Sequence, residues 1–128
     1  MTTATALSSP SDLQGFTGTE QWYRHGLNRK FIWTDGVRYF AENAGGGAYW
    51  FLDIAASSIF MLHRLQKEEF LSMTMTVTAC GAVILVTDGN DNELFTQHIG
   101  FTDCPQGEWK FFQIWDGEHS TMLLLSEY

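Results

Sequence analysis

The feature that most constrains the fold is a change in apolar spacing at the charged segment Gln66–Glu69. After this segment, Leu71, Met73, Met75 and Val77 alternate with serine and threonine residues. Alternate residues of a strand point to opposite faces of a sheet, so this spacing predicts a strand with one face turned inward. The second half of the chain is therefore expected to form a β-sheet.

The segment before the change, residues 48–65, is apolar on nearly every side of a helix. Its polar line is narrow, because Asp53, Ser57 and Arg64 fall close together at about 100° per residue. A helix that is apolar all round is a buried one, so we expect a central helix here. Asp53 should pair with an arginine or a backbone amide, or reach water. The side chains expected in the core are Leu52, Ile54, Ile59 and Leu62.

The rest of the first half is expected to be mainly helical. Residues 19–26 suit one or two helical turns, with a short strand as the alternative. The pattern predicts an extended segment at residues 31–33 and a helix at residues 37–44 that is capped by Thr34 or Asp35. The three glycines that follow the helix end it.

The second half predicts five strands joined by short connections. They cover residues 71–77, 82–87, 93–99, 109–115 and 121–125. Short connections favour antiparallel neighbours, since parallel ones need longer crossovers. We expect an α+β fold, in which an antiparallel meander of about five strands in the C-terminal half carries the N-terminal helices on one face. The expected domain covers residues 12–128 and follows a flexible tail at residues 1–11.

The sequence favours a cytoplasmic location without membrane contact. Residues 1–11 have no basic start and no apolar run of the length that an export signal needs. Asp53 interrupts the longest candidate for a membrane span, residues 48–62. In this setting Cys80 and Cys104 are expected to be reduced thiols.

No motif predicts a catalytic, cofactor-binding or metal site. The histidines and cysteines lack the close spacing that places two ligands on one metal. The glycines at 45–47 lack the Lys-Ser/Thr pair of a phosphate loop, and no nucleophile elbow is present. We therefore predict no catalytic residue, cofactor or metal, and favour a non-enzymatic protein over an enzyme.

Charge is divided unevenly along the chain. Residues 1–64 carry five basic and five acidic groups, whereas residues 65–128 carry two basic and ten acidic groups. An acidic surface can steer a protein towards a basic partner. The candidate interface comprises the acids of the predicted turns and strand starts: Asp88, Asp91, Glu93, Asp103, Glu108, Asp116 and Glu118.

A weaker candidate is a patch that mixes basic and aromatic residues. It consists of Trp22, Arg24, Arg29, Lys30 and Arg38. Such a mixture can hold a nucleic-acid strand by phosphate pairing and stacking. The favoured interpretation is that aromatic residues of this region are core and the cations are solvated, and the net charge of −8 opposes nucleic-acid binding.

Five segments give the chain a resemblance to a known family. They are Phe16–Glu20, Thr34–Val37, Tyr49–Asp53, Phe101–Pro105 and Leu125–Tyr128. The chain resembles a small uncharacterised bacterial domain family that also occurs in phages and other mobile elements. The resemblance implies an accessory protein, with a host protein as its target, and assigns no site residue.

Three functions follow from these observations. The favoured hypothesis is an interaction protein whose acidic β-half binds and inhibits a basic, nucleic-acid-handling host defence protein. The first alternative is a small-molecule-binding or catalytic domain with a pocket between the helices and the sheet. The second alternative is an oligomeric structural protein, such as a homodimer.

Overall fold

The computed structural model describes residues 7–18, 21–90 and 92–128. Seven strands form one sheet in the order β1, β2, β7, β6, β3, β4, β5. The strands are β1 (Trp22–Arg24), β2 (Phe31–Thr34), β3 (Phe70–Thr78), β4 (Gly81–Thr87), β5 (Glu93–Ile99), β6 (Gly107–Trp115) and β7 (Ser120–Leu124). The helical segments are α1 (Asp35–Asn43), α2 (Tyr49–Ile54), a π-helical turn (Ala55–Ile59) and α3 (Phe60–Leu65). Two 3₁₀ turns cover Pro10–Leu13 and Leu125–Glu127.

The α+β class is confirmed, but the expected five-stranded antiparallel meander with helices from the first half on one face is wrong. The sheet is mixed, because β2 and β7 run parallel, with Ile32 opposite Thr121. The first half contributes β1 and β2 to the sheet, and the described part of the predicted segment 19–26, residues 21–26, contains the alternative, a short strand, rather than helical turns. Aromatic residues favour this strand, since they pack well on a pleated surface.

The order of the later strands also departs from a meander. β6 pairs with β3 and not with β5, so the connection at residues 100–106 runs between two strands that are three positions apart in the sheet. The distance between these strands is about 14 Å, whereas a connection of seven extended residues can reach about 23 Å. The connection is therefore long enough to make a non-neighbouring strand the partner.

The face of the sheet that carries the helices is the inner face. The alternating residues of β3 that the sequence assigns to the core are all buried there. Helix α1 contributes Phe40, whose ring centroid lies 4.9 Å from that of Phe111 and 5.2 Å from that of Trp109. Phe51 of α2 lies 5.2 Å from Phe111. The centre of the core is thus an aromatic cluster between two helices and β6.

The helix at residues 49–65 is interrupted by the π-helical turn. In such a turn a carbonyl accepts from the N–H five residues later rather than four, as the Ala55 carbonyl does from Phe60. Two carbonyls of this turn also accept hydrogen bonds from side chains. Asn28 Nδ2 donates to the Ala56 carbonyl at 2.8 Å, and Gln113 Nε2 donates to the Ala55 carbonyl at 3.1 Å. Side chains from a loop and from the sheet therefore hold the interruption in place.

The burial expected along this helix holds on one side only. Leu52, Ile59 and Leu62 are buried, while Ile54 is half-buried against the core. Leu65 is 74% exposed. The helix therefore lies on the sheet with one side in water, because no second layer covers it within the described residues.

Helix α1 begins and ends as the sequence predicts. Thr34 Oγ1 accepts a hydrogen bond from the Val37 N–H at 3.4 Å, which satisfies one free donor of the first turn. Gly45, with φ +60°, follows the helix in the left-handed conformation that glycine adopts readily.

The predicted tail at residues 1–11 is only partly described. Residues 1–6 lie outside the described residues. Leu7 is 5% exposed, and its N–H donates to the Asn43 carbonyl at 3.0 Å. The 3₁₀ turn at Pro10–Leu13 then packs on β6, with Leu13 buried. Residues 7–13 are thus part of the packed structure.

The opposite side of the sheet, the outer face, carries half-buried apolar residues. No helix covers this face within residues 7–18, 21–90 and 92–128. Its apolar side chains include Ile32, Phe70, Val83, Leu85, Phe112, Ile114 and Leu123, each half-buried.

Candidate functional site

Strand direction places three connections at the same end of the sheet. They are residues 66–69 before β3, the β4–β5 loop and the β6–β7 turn. The Trp115 N–H donates to the Glu69 carbonyl at 2.8 Å, which joins the first connection to the last. Gly89 lies against the Phe70 ring, so the β4–β5 loop adjoins the start of β3.

These connections bring together five acids of the described residues, which we call the acidic end. The acidic end consists of Glu68, Glu69, Asp88, Asp116 and Glu118. Three strand spacings separate its outermost loops, a distance of about 14 Å. Glu69, Asp116 and Glu118 are exposed, whereas Glu68 and Asp88 are half-buried.

Three backbone N–H groups and one side-chain amide fix two carboxylates of the acidic end. Asp88 Oδ1 accepts from the Asn90 N–H at 2.8 Å, and Asp88 Oδ2 accepts from Asn92 Nδ2 at 2.8 Å. Asp116 Oδ1 accepts from the N–H groups of His119 at 2.7 Å and Glu118 at 2.8 Å. These hydrogen bonds lower the pKa of both carboxyl groups. The largest contribution comes from the Asn92 side chain for Asp88 and from the His119 backbone N–H for Asp116. Both groups are therefore anionic at neutral pH and held in one position.

Two residues of the predicted acidic interface lie away from the acidic end. Asp103 and Glu108 are at the opposite end of the sheet, where Asp103 Oδ2 accepts from the Gly46 N–H at 2.7 Å. Glu93 is the first residue of β5 and lies at the same end as Asp88, but opposite Thr87 on the outer face of this edge strand. Asp91 lies outside the described residues. The structure thus unites Asp88, Asp116 and Glu118 and separates Asp103 and Glu108 from them.

Sequence reasoning missed Glu68 and Glu69, which were read only as a charged break between helix and strand. They directly precede β3, the first of the five strands predicted in the second half. A residue that precedes a strand lies at the same end as the hairpin loop that follows the next strand. The predicted strands were therefore enough to place Glu68 and Glu69 at the same end of the sheet as Asp88.

The predicted basic and aromatic patch is divided between two sides of the sheet. Trp22 and Arg24 lie on the outer face of β1, opposite Thr34 and Ile32. Arg38 lies on the helix side, 4.6 Å from the centre of the Tyr23 ring. Arg29 and Lys30 are exposed in the turn between β1 and β2.

A shallow cavity of about 460 Å³ lies where this turn meets the π-helical turn. Its histidine, His25, contacts Asp53 Oδ1 through Nε2 at 2.9 Å, while Nδ1 accepts from the N–H groups of Leu27 and Asn28. Both ring nitrogens are engaged, so His25 has no free lone pair for general base catalysis. Asp53 is paired with this histidine rather than an arginine, and its side chain is 71% exposed, so it reaches water as expected.

A second histidine, His63, is buried inside the protein beside the acidic end. Gln113 Nε2 donates to Ser120 Oγ at 2.9 Å, and Ser120 Oγ lies 2.8 Å from His63 Nε2. His63 Nδ1 reaches the Glu68 carbonyl. Burial lowers the pKa of His63, which keeps the ring neutral at pH 7. This chain of hydrogen bonds anchors the acidic end to the core.

The pKa shift of His63 predicts a loss of stability in mild acid. The unfolded histidine binds a proton near pH 6.5, whereas the native ring binds it only at lower pH. The free energy of unfolding should therefore fall as the pH is lowered from about 6.5 towards the native pKa, by about 1.4 kcal/mol per unit of pKa shift. Urea denaturation at pH 7 and pH 5 measures this fall.

Two variants distinguish the contribution of His63 to the pH dependence of stability from that of other groups. His63→Gln should flatten the pH dependence, whereas His119→Gln, which changes a histidine of the β6–β7 turn, should keep it. The carboxyl groups with lowered pKa values act only below about pH 4, outside this window. An unchanged pH dependence in His63→Gln would contradict the prediction.

Other residues that often carry chemistry are dispersed. No group of three or more histidine, cysteine, aspartate or glutamate residues suited to a metal ion occurs among the described residues. Cys80 is exposed and Cys104 is buried, and both are free. Burial raises the pKa of the Cys104 thiol to about 12, so this group is a thiol and not a nucleophilic thiolate.

No helix in the described part of the chain has both the length and the apolar character needed to cross a membrane.

Comparisons with known proteins identify a family and a fold but no activity. A family model described as "Family of unknown function (DUF6876)" matches residues 8–128. The crystal structure of a protein of unknown function from Enterococcus faecalis is similar, with a TM-score of 0.53 and 17% sequence identity. The similarity covers 84% of this chain and 98% of that one, and at this identity it shows the fold alone. No curated protein matches the chain. The predicted resemblance to a family of unknown function is confirmed.

Proposed function

We infer that this chain, which belongs to the DUF6876 family of unknown function, is a non-enzymatic binding protein that docks its acidic end on a basic protein surface. The observation that carries the proposal is the convergence of acids from three separate connections on one end of the sheet. The partner we propose is the phosphate-binding face of a nucleic-acid-handling protein, which would lose access to nucleic acid when occupied. The mobile-element setting is part of this proposal and rests on the family resemblance alone; in that setting the partner is a host defence protein.

The fixed carboxylates support this function energetically. Asp88 and Asp116 are held by turn hydrogen bonds before any partner arrives, so docking costs little side-chain entropy. The surrounding exposed acids attract a basic surface over about one Debye length, roughly 8–10 Å at physiological salt. The same charge repels nucleic acid itself.

The test reverses two acids that make no turn hydrogen bond through their side chains. In the variant Glu69→Lys/Glu118→Lys, binding to a basic partner should weaken at least about tenfold, because two favourable charge contacts become repulsive. The measurement is a pull-down from host lysate at low and high salt, followed by titration of each retained protein with the variant.

A matched control changes the net charge equally at other positions. Glu42→Lys/Asp53→Lys alters two exposed acids that lie outside both the acidic end and the outer face of the sheet. This control should retain the partner, whereas the acidic-end variant and high salt should both release it. Equal retention by the two variants, or a partner whose nucleic-acid binding is unaffected by this protein, would refute the proposed function.

A further inference from the structure

The outer face of the sheet has an apolar cluster on its central strands, towards the acidic end. β6 is the fourth of seven strands, and on its outer face Phe112 and Ile114 lie towards the acidic end, while Lys110 and Glu108, 3.8 Å apart, lie towards the other end. Tyr128 is 76% exposed, and its ring centroid lies 5.2 Å from that of Phe112. Leu123 of β7 lies directly opposite Phe112 of β6. Clustered aromatic and aliphatic side chains that a partner can bury are typical of binding hot spots.

The two edges of the outer face carry opposite charges. Arg24 lies on the outer face of β1, and the strand register places it in one row with Ile32, Thr121 and Ile114. Glu93 lies on the outer face of β5, in one row with Thr87, Ser72 and Phe112. The two rows are two residues apart, about 7 Å, which is within the reach of an arginine side chain. A basic and an acidic group thus lie at nearly the same height on opposite edges.

We propose that the outer face binds a second copy of this chain, sheet against sheet, about a two-fold axis that runs parallel to the strands along β6. This axis keeps the height of every residue along the strands and exchanges the two edges of the sheet. Arg24 of one protomer then faces Glu93 of its partner, and the pair occurs twice. The apolar clusters of the two faces stack about 10 Å apart, as in aligned sheet packing. Lys110 of one protomer lies opposite Lys110 of its partner, and the Glu108 of that partner is two residues away, about 7 Å, which is within the reach of a lysine side chain.

The size of the face agrees with a stable dimer. Six strand spacings give a width of about 29 Å, and strands of about seven residues give a length of about 23 Å. The resulting area is roughly 650 Å² per copy, close to the ~800 Å² that each partner contributes to a standard interface. The loops of the acidic end lie beyond the strands and stay in water, where salt screens the repulsion between the two copies.

The first test is the mass of the protein in solution by sedimentation equilibrium. The wild type should have twice the 14.5 kDa mass of one chain. Leu123→Lys places a charge in the apolar cluster beside Phe112 and should give a folded monomer, with circular dichroism as the check on folding. Leu27→Lys makes the same change at a residue that is 95% exposed and outside the face, and this control should stay dimeric.

The second test addresses the axis. Arg24→Glu and Glu93→Arg each place like charges opposite one another at two positions, so each should weaken the dimer about tenfold. The double variant restores opposite charges and should recover the wild-type dissociation constant. Failure of the double variant to recover it would exclude this axis.

Two outcomes would overturn the proposal. One is a wild-type mass of a single chain at the highest soluble concentration. The other is a dimer that survives Leu123→Lys; its loss in Thr96→Pro would then assign the contact to the exposed edge of β5. The variant Glu69→Lys/Glu118→Lys leaves the face unchanged and should keep the dimer, so failure of the proposed function is measured independently.

Discussion

Replacing Phe40 with alanine is expected to lower the free energy of unfolding by about 3–5 kcal/mol. The Phe40 side chain is fully buried at 0% exposure, and its ring contacts those of Phe51, Trp109 and Phe111. Truncation removes the ring and leaves a cavity between α1 and β6 that neighbouring rings cannot fill without leaving their own contacts. Such a loss is a large part of the ~5–15 kcal/mol that stabilises a small protein.

Urea denaturation followed by far-ultraviolet circular dichroism measures this effect. Leu65→Ala is the control, because it truncates a helical side chain that is 74% exposed. The control should change stability by no more than about 0.5 kcal/mol. Equal stability of Phe40→Ala and Leu65→Ala would show that the aromatic cluster is not the energetic centre of the core.

The parts of the fold that sequence predicts well are those with local periodicity. The five strands of the second half lie where alternation and turn residues place them, because one buried face demands a polar–apolar period of two. Helix α1 was likewise predicted with its Thr34 cap and glycine end, since caps act within a few residues.

The strand order was not available from local pattern. β2 pairs with β7, so Ile32 lies beside Thr121 although almost ninety residues separate them along the chain. A strand with one buried face could pair with several other strands of similar apolar pattern, and its own residues do not specify which strand becomes its neighbour. The three residues of β1 are also too few to show a period, which explains why the segment at 19–26 was read as helical.

The acidic end could have been predicted further than it was. Each strand reversal moves the chain to the other end of a sheet, so alternate connections share an end. Asp88 and Asp116 therefore fall together, while Asp103, one connection between them, falls opposite. The charge of the second half predicts an acidic surface. The rule that alternate connections share one end of the sheet determines which acids form that surface.

A carboxylate near the end of the chain joins β7 to the start of α1. Glu127 Oε1 accepts from Thr34 Oγ1 at 2.6 Å and from the Leu124 N–H at 3.0 Å, and Glu127 Oε2 accepts from the Gly36 N–H at 3.1 Å. A Cβ atom at Gly36 would lie 2.5 Å from Leu124 Cδ1 and 2.8 Å from Oε1, so a larger residue there would displace both side chains. The negative charge also lies at the positive end of the helix dipole.

Replacing Glu127 with alanine is therefore expected to lower the free energy of unfolding by about 2–3 kcal/mol, since hydrogen bonds to a charged group contribute about 1.5–3 kcal/mol and Thr34 is buried at 2% exposure. Glu127→Gln should cost less, because its amide oxygen still accepts from Thr34 and Leu124, while its amide nitrogen faces the Gly36 N–H without an acceptor. Glu118→Ala removes an equal charge from an exposed turn and should change stability by no more than about 0.5 kcal/mol. Urea denaturation of the three variants ranks them, and a Glu127→Ala protein as stable as Glu118→Ala would mean that β7 and α1 are held together by apolar packing alone.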